Sequence, residues 1–419
     1  MSRKQTQLGL AVAAVLFAAT AHADPGRSVE ELLDLARAGN PTLRAAQSEA
    51  EAARERIQPA GALPDPMLKI ELMDLTNMGE TGPRFSPSQV GSTQYTISQQ
   101  LPLWGKRELR RGQAETQARV AGHGAEDMTL ELLTLVKRGY AQYWQVVRTQ
   151  ALSREIAELD EQLEKLARTR YAAGLGVQQD VIRAQLELSM VRQEQIQLDA
   201  ERRSLHAMLN GLLARRADAP LADPQILRPL PPAAALTIEA LIARLKARNP
   251  QIAAEAEKII GAEKGRELTY RNRLPDLNLG ITPVQKGSGL REWQLMFEVN
   301  LPLQFETRRS QEREAARMLD AAQARADSLE SRLIAELSGA ALALESSRQI
   351  EAQTETTLIP LTEASLRAAL VGYENGRVDF ATLLEAQRAI RKVKQDLIRV
   401  RADQQARLAD LERLTGDTQ

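Results

Sequence analysis

Hydrophobic residues recur at two different intervals along this chain. Over residues 106–170 they step by three and four, as in Leu133 and Val136, which predicts one helix roughly 100 Å long. Over residues 67–74 and 93–101 they alternate with polar residues instead. That two-residue period predicts strands with one apolar and one polar face.

The same order of elements occurs twice. A helix broken by Asn40-Pro41 precedes the first pair of strands, and a helix broken by Asn249-Pro250 precedes a second pair at 277–282 and 293–301. In each half a long helix, a corner and a helix of medium length follow. The chain is therefore predicted to be one unit made of two repeats with a Pro- and Ala-rich linker between them: residues 28–213, 217–236 and 237–416.

Three local expectations accompany this outline. The long helix of the second repeat is predicted over residues 307–371, with Pro360 as its only proline. Ser28 followed by Glu31 predicts a capping box at the start of the first helix. Paired acids such as Asp160-Glu161 are interpreted as solvated helix faces.

The two corners are similar in sequence. Tyr373 to Gln387 reads Y-E-N-G-R-V-D-F-A-T-L-L-E-A-Q, and Tyr171 to Gln185 reads Y-A-A-G-L-G-V-Q-Q-D-V-I-R-A-Q. Both begin with Tyr, have Gly three residues later and end in Ala-Gln. Since each lies between two predicted helices, the match supports a chain built twice.

The N-terminus and the composition limit the functional classes. Residues 1–23 combine two basic residues, a short apolar run and Ala21-His22-Ala23, which predicts a signal peptide cleaved before Asp24. The 55 basic and 55 acidic residues balance, so nothing predicts nucleic-acid binding. Cysteine is absent, which excludes disulfides and thiolate chemistry. His123 and His206 adjoin no nucleophile motif, so we predict no enzyme, cofactor or metal site.

The strand pattern points to a membrane. Strands of about nine residues with one apolar face are typical of β-barrel walls, and polar residues on the other face suit a water-filled interior. Four strands cannot close such a barrel, but three chains would supply twelve. Tyr95 and Trp293 fit interfacial aromatic girdles. A soluble sheet with one solvated face is the alternative.

With these features the mature chain, residues 24–419, resembles the TolC-type outer-membrane factor family, the exit ducts of tripartite efflux pumps. The resemblance is based on the duplicated layout, on Leu-Pro-Leu at 101–103 and 301–303, and on the two corners. It implies a mainly α homotrimer with a twelve-stranded β-barrel in outer-membrane lipid, continued by a periplasmic α-helical barrel. The partners implied are a periplasmic adaptor and an inner-membrane pump. Leu63-Pro64-Asp65-Pro66 resembles the branch associated with heavy-metal pumps, which implies cations such as copper as substrate.

The family's tip closes with a Tyr, an Arg and two acids. Tyr373 matches the tyrosine and Glu385 the second acid, whereas Val378 and Thr382 occupy the arginine and first acidic positions. The resemblance thus implies Tyr373, Thr382 and Glu385 as pore-gate candidates. The adaptor-docking candidates are the residues shared by the two corners: Tyr171, Gly174, Ala184, Gln185, Gly376, Ala386 and Gln387.

Two alternatives stay open from the sequence. A soluble periplasmic coiled-coil adaptor would also contain long helices, although with one hairpin between halves of a β-rich domain. Met67, Met73 and Met78 cluster near the first strand, and thioethers suit Cu(I), although structural methionines explain them better.

Overall fold

The computed structural model describes residues 24–76, 78–80 and 82–417. The predicted signal peptide, residues 1–23, lies outside the described residues. The prediction of a mainly helical chain with a small strand region is confirmed. The order of elements is the same in both halves, while duplication as its origin stays a prediction.

Each half begins with short helices broken at an Asn-Pro pair. The first half has α1 (Val29–Gly39), α2 (Pro41–Glu55) and α3 (Ile57–Gly61), and the second has α6 (Ile238–Arg248) and α7 (Pro250–Arg271), after a 3₁₀ turn at Ala233–Leu236. Proline lacks a backbone N–H and therefore suits the first position of a new helix.

The asparagine of each pair makes two kinds of contact. The Asn40 side chain caps α2 by accepting from the Thr42 N–H at 2.8 Å, and it donates to the Leu212 carbonyl at 2.8 Å. Asn249 likewise caps α7 and donates to the Leu414 carbonyl at 3.0 Å. Each break is thus tied to the last helix of its own half.

The long helices follow the predicted bounds closely. In the first half α4 spans Lys106–Ala172 without a break and α5 spans Gln178–Leu212. In the second half α8 spans Phe305–Gln353, α9 spans Ile359–Glu374 and α10 spans Phe380–Thr415. Among the described residues, no helix is both long and apolar enough to cross a membrane.

Two local predictions about the helices are wrong. The Ser28 side chain makes no capping hydrogen bond, and the Glu31 carboxylate accepts from the Gly26 N–H at 2.9 Å and not from Ser28. The stretch 307–371 is not one α-helix, since a π-helical turn at Thr354–Leu358 precedes Pro360. The proline ring would clash with a carbonyl in a regular α-helix, and the wider turn accommodates it.

The four strands form one antiparallel sheet in the order β1 (Met67–Met73), β2 (Ser92–Leu101), β3 (Leu277–Lys286) and β4 (Gly289–Val299). The second pair is longer than predicted, and Leu301 lies beyond β4. Neither β1 nor β4 has a second neighbour in the described part of the chain.

The two faces of the sheet differ as predicted. On one face an apolar row crosses all four strands in register, and its side chains are 42–73% exposed: Leu68, Ile97, Ile281 and Leu295. On the other face the Thr96 and Thr282 hydroxyls bond to each other at 2.8 Å. Charged and amide groups flank them, as in the Lys69–Glu71 ion pair at 2.6 Å.

Candidate functional site

The two corners lie at the end of the helices opposite the sheet, and both close by the same backbone motif. At the end of α4, the Gly174 N–H donates to the Tyr171 carbonyl and the Leu175 N–H to the Arg170 carbonyl. At the end of α9, the Gly376 N–H donates to the Tyr373 carbonyl and the Arg377 N–H to the Gly372 carbonyl. This is the Schellman motif. It explains the shared Tyr-x-x-Gly, because the glycine must adopt a left-handed conformation.

Those glycines have φ angles of 71° at Gly174 and 69° at Gly376. A side chain at Gly174 would meet no atom within 4 Å, so the requirement there is conformational and not steric.

Tyr373 joins the two corners. Its ring lies 5.0 Å from the Arg170 guanidinium and 5.2 Å from the Phe380 ring, and its hydroxyl donates to Asp180 at 3.4 Å. Arg170 also donates to the Glu374 carbonyl at 2.6 Å. Burial, then the charge of Asp180, raises the pKa of the Tyr373 phenol, so the tyrosine stays a neutral donor.

An apolar cluster holds the corners from beneath. Its buried members come from all four helices at the tip and include two of the predicted docking residues: Leu163, Ala167, Ala184, Ala369, Tyr373, Phe380, Leu383, Leu384 and Ala386. Burial of this many apolar side chains is the main force that holds α4, α5, α9 and α10 together at the tip.

The other gate candidates lie on the first two turns of α10. Thr382 is exposed, and both its N–H and its hydroxyl donate to Asp379, at 2.8 and 2.7 Å. The Thr382 N–H lowers the pKa of Asp379 by stabilising its ionised form. Glu385 is exposed one turn further along α10. Thr382 therefore acts in a helix cap, and Glu385 presents its charge to the surroundings.

The predicted docking residues divide into two groups. Tyr171, Gly174, Gln185 and Gly376 are exposed, and Gln185 donates to Glu164 at 3.2 Å. The side chains of the other three are buried within the protomer: Ala184, Ala386 and Gln387. The two Ala-Gln pairs thus differ in the burial of the glutamine, since Gln185 is exposed and Gln387 is fully buried.

A buried polar layer lies about one helical turn from the apolar cluster at the corners, on the side toward the sheet. Asp160 is only 2% exposed, so the interpretation of Asp160-Glu161 as a solvated pair is wrong for Asp160. Neither carboxylate oxygen of Asp160 has a hydrogen-bond partner among the described residues, and the same is true of the Gln387 amide. Glu187 is buried beside them and accepts from Arg388 at 3.1 Å.

Burial has the largest effect on the pKa of Asp160. Together with the charge of Glu187 it raises the pKa of the Asp160 carboxyl to about 7, although Arg391 and Arg388 oppose the rise. The ion pair with Glu187 raises the pKa of Arg388.

Sequence reasoning did not select Arg170, Asp180, Asp379 or Asp160. Asp379 could have been found, because an acid before the first apolar residue of a helix is a capping signal. Arg170 and Asp180 become partners of Tyr373 only when the two hairpins meet. Among the described residues, no cluster of three or more His, Asp or Glu side chains could hold a metal ion.

Comparison with known proteins relates this arrangement to one family. A family model described as outer membrane efflux protein matches residues 32–215 and 241–417. No curated protein matches the sequence.

Solved structures share the fold at low sequence identity. A membrane protein from Pseudomonas aeruginosa is 22% identical, with a TM-score of 0.81 over 94% of this chain and 91% of that one. The outer membrane protein VceC from Vibrio cholerae is 16% identical, with a TM-score of 0.80 over 93% and 96%. The open-state MtrE outer membrane channel of Neisseria gonorrhoeae is 16% identical, with a TM-score of 0.74 over 94% and 91%.

Proposed function

Because the chain belongs to the outer membrane efflux protein family, we propose that it is the passive exit duct of a tripartite efflux pump. The protein is located in the outer membrane and has a large helical part on the periplasmic side. The observation that carries the proposal is the sheet, which has an exposed apolar face, a polar face and two edges with no partner strand among the described residues. A soluble adaptor, the alternative from the sequence, does not fit a chain of this family.

The unpaired edges support a homotrimer. Backbone N–H and C=O groups at the edge of a sheet cannot stay unpaired in lipid, so β1 of one chain is proposed to pair with β4 of the next. Three chains would close a twelve-stranded barrel around the polar face. Its interior would be water-filled, because Lys69 and Glu71 face the same side.

Unpartnered apolar side chains on the helices support the same assembly. On α5, Ile182, Leu186 and Met190 recur every fourth residue and are 50–59% exposed. On α9, Leu361 and Val371 are also exposed. Within one chain α5 contacts α4 and α10, so its apolar stripe is proposed to cover α9 of the neighbouring chain.

The tip is proposed to be the gate. Tyr373 holds the second corner against the first through Arg170 and Asp180, so opening requires those contacts to separate. Thr382 fixes the start of α10, and three copies of Glu385 would attract cations at the opening. Docking of the adaptor is proposed at the exposed corner residues, namely Tyr171, Gly174, Gln185 and Gly376. Ala184, Ala386 and Gln387 would contribute by packing beneath them.

The proposed substrates are heavy-metal cations such as copper, delivered by an inner-membrane pump. The two methionines of β1 do not support a shared binding site in the duct. Met67 and Met73 lie at opposite ends of β1, about 20 Å apart at the usual rise per residue, and cannot share an ion.

A deletion strain complemented with the wild-type chain tests this function. Resistance to copper and to a panel of drugs should return only when the cognate pump is present, and purified trimers should conduct in planar bilayers. Recovery of the protein in the soluble periplasmic fraction would refute the proposal, and so would full resistance of the deletion strain without the complementing chain.

A further inference from the structure

The helix ends next to the sheet form a tightly connected layer. Lys106 at the start of α4 donates to the Leu274 carbonyl at 2.7 Å and to Asp276 at 2.8 Å. Arg107 donates to the Gly61 carbonyl at the end of α3 at 2.9 Å, and Arg273 after α7 pairs with Glu312 of α8. The ends of α3, α4, α7 and α8 are therefore neighbours just below the strands.

This layer is basic although the chain as a whole is neutral. The eleven residues of each helix end nearest the sheet together contain 13 basic and 9 acidic side chains, a net charge of +4 against 0 for the whole sequence: residues 51–61, 106–116, 263–273 and 305–315. Half of the excess arises at the start of α4. A helix N-terminus favours acids over bases, so the helix dipole does not explain Arg107 or Arg110 there.

Five arginines in this layer are exposed, and their side chains lack an ion pair or hydrogen bond in the described part of the chain. Arg56 lies in the turn between α2 and α3, and the other four lie on helices. These four define the arginine collar, with one residue on each helix: Arg54 on α2, Arg110 on α4, Arg266 on α7 and Arg313 on α8. At 1.5 Å per residue they lie roughly 6–12 Å from the helix ends that meet the sheet. That distance is about one Debye length at physiological salt.

Exposed apolar side chains lie between the arginine collar and the strands. Trp104, Leu303 and Phe305 are exposed there, and the Trp104 indole N–H donates to the Pro275 carbonyl at 2.8 Å. Aromatic rings at the edge of an apolar sheet with basic side chains beyond them match the interface between acyl chains and headgroups.

We propose that the arginine collar binds anionic phospholipid headgroups of the membrane leaflet that faces the helices. The ligand is identified by charge complementarity, since the four arginines of the collar have no partner among the described residues and lie next to the end of the apolar sheet. A phosphate on a lipid anchored in that leaflet would lie within reach of the long, flexible stems. The contact would fix the depth of the duct in the membrane. The proposal does not depend on pump partners or on the exported substrate.

The test uses delipidated, full-length protein in neutral detergent and counts bound lipid by native mass spectrometry. Phosphatidylglycerol should bind in preference to phosphatidylcholine with the same acyl chains, and high salt should reduce the preference. Inorganic phosphate separates lipid binding from a free-phosphate site, because it should not displace phosphatidylglycerol at equal concentration. Equal occupancy by the two lipids, or displacement by phosphate, would overturn the proposal.

A collar variant and a matched control give the second test. The variant replaces Arg54, Arg110, Arg266 and Arg313 by Gln. The control replaces four exposed arginines that also lack partners among the described residues but lie far from the sheet: Arg154, Arg325, Arg332 and Arg407. The collar variant should lose phosphatidylglycerol affinity by about tenfold or more, and the control should keep it. Equal phosphatidylglycerol affinity in the two variants contradicts the proposal. If the collar variant does not assemble, the comparison of phosphatidylglycerol with phosphatidylcholine on the wild-type protein tests the proposal by itself.

Discussion

Replacing Asp160 by Asn should make the protein more stable at alkaline pH and leave it almost unchanged in acid. The Asp160 carboxyl is buried between α4, α5 and α10, and no hydrogen bond in the described part of the chain satisfies its oxygens. Glu187 from α5 repels its charge, while Arg388 and Arg391 from α10 attract it only partly. The ionised form is therefore more costly in the folded protein than in the unfolded chain.

The size of the effect follows from the pKa. Burial raises it from 3.8 to about 7. Each pKa unit corresponds to 1.36 kcal/mol, so complete ionisation costs ~4 kcal/mol. The sign follows from proton binding, because between these two pKa values the folded protein keeps a proton that the unfolded chain has lost. The free energy of unfolding therefore falls as pH rises from about 4 to 7, and roughly 2–3 kcal/mol of that loss lies between pH 5 and pH 8.

The assay compares apparent melting temperatures of the helical circular dichroism signal at one fixed scan rate, since many large proteins unfold irreversibly. Wild type should lose stability relative to Asp160→Asn when the pH is raised from about 5 to about 8. Glu158→Gln is the matched control, because Glu158 is exposed on the same helix and has no partner among the described residues. If the two variants show the same pH dependence as wild type, Asp160 is not the buried acid inferred from the structure.

Three further predictions concern the tip. Gln387→Met should increase the free energy of unfolding by about 1–3 kcal/mol and so raise the melting temperature, because the fully buried amide makes no hydrogen bond in the described chain. A loss of stability would show that the amide has a partner in the proposed trimer. Tyr373→Phe keeps the ring against Arg170 and should change single-channel conductance little, whereas Tyr373→Ala removes the link between the corners and should raise it; equal conductance of the two variants argues against the link. Glu385→Gln should reduce the preference for cations in planar bilayers without changing the helical content, and unchanged selectivity would remove Glu385 from the gate.

The elements and their order follow from local patterns in the amino-acid sequence. Asn-Pro pairs begin helices because proline has no N–H to donate, and Gly174 and Gly376 end helices because they accept a left-handed conformation. The two-residue period along β2 and β4 assigned the two faces of the sheet. These signals are local, since each depends on a few neighbouring residues, and the structure confirms the elements that they predict. The π turn before Pro360 is the exception, because a single proline does not specify how the helix accommodates it.

Contacts between distant side chains become visible only in the folded chain. Tyr373 was selected by resemblance, but its partners Arg170 and Asp180 are about two hundred residues away in sequence and meet it only when the hairpins pack. Asp160 lies on a helix with exposed acids on both sides, so its period gave no reason to expect burial. Three helices converge on it, and that convergence removes the water that would otherwise solvate its charge.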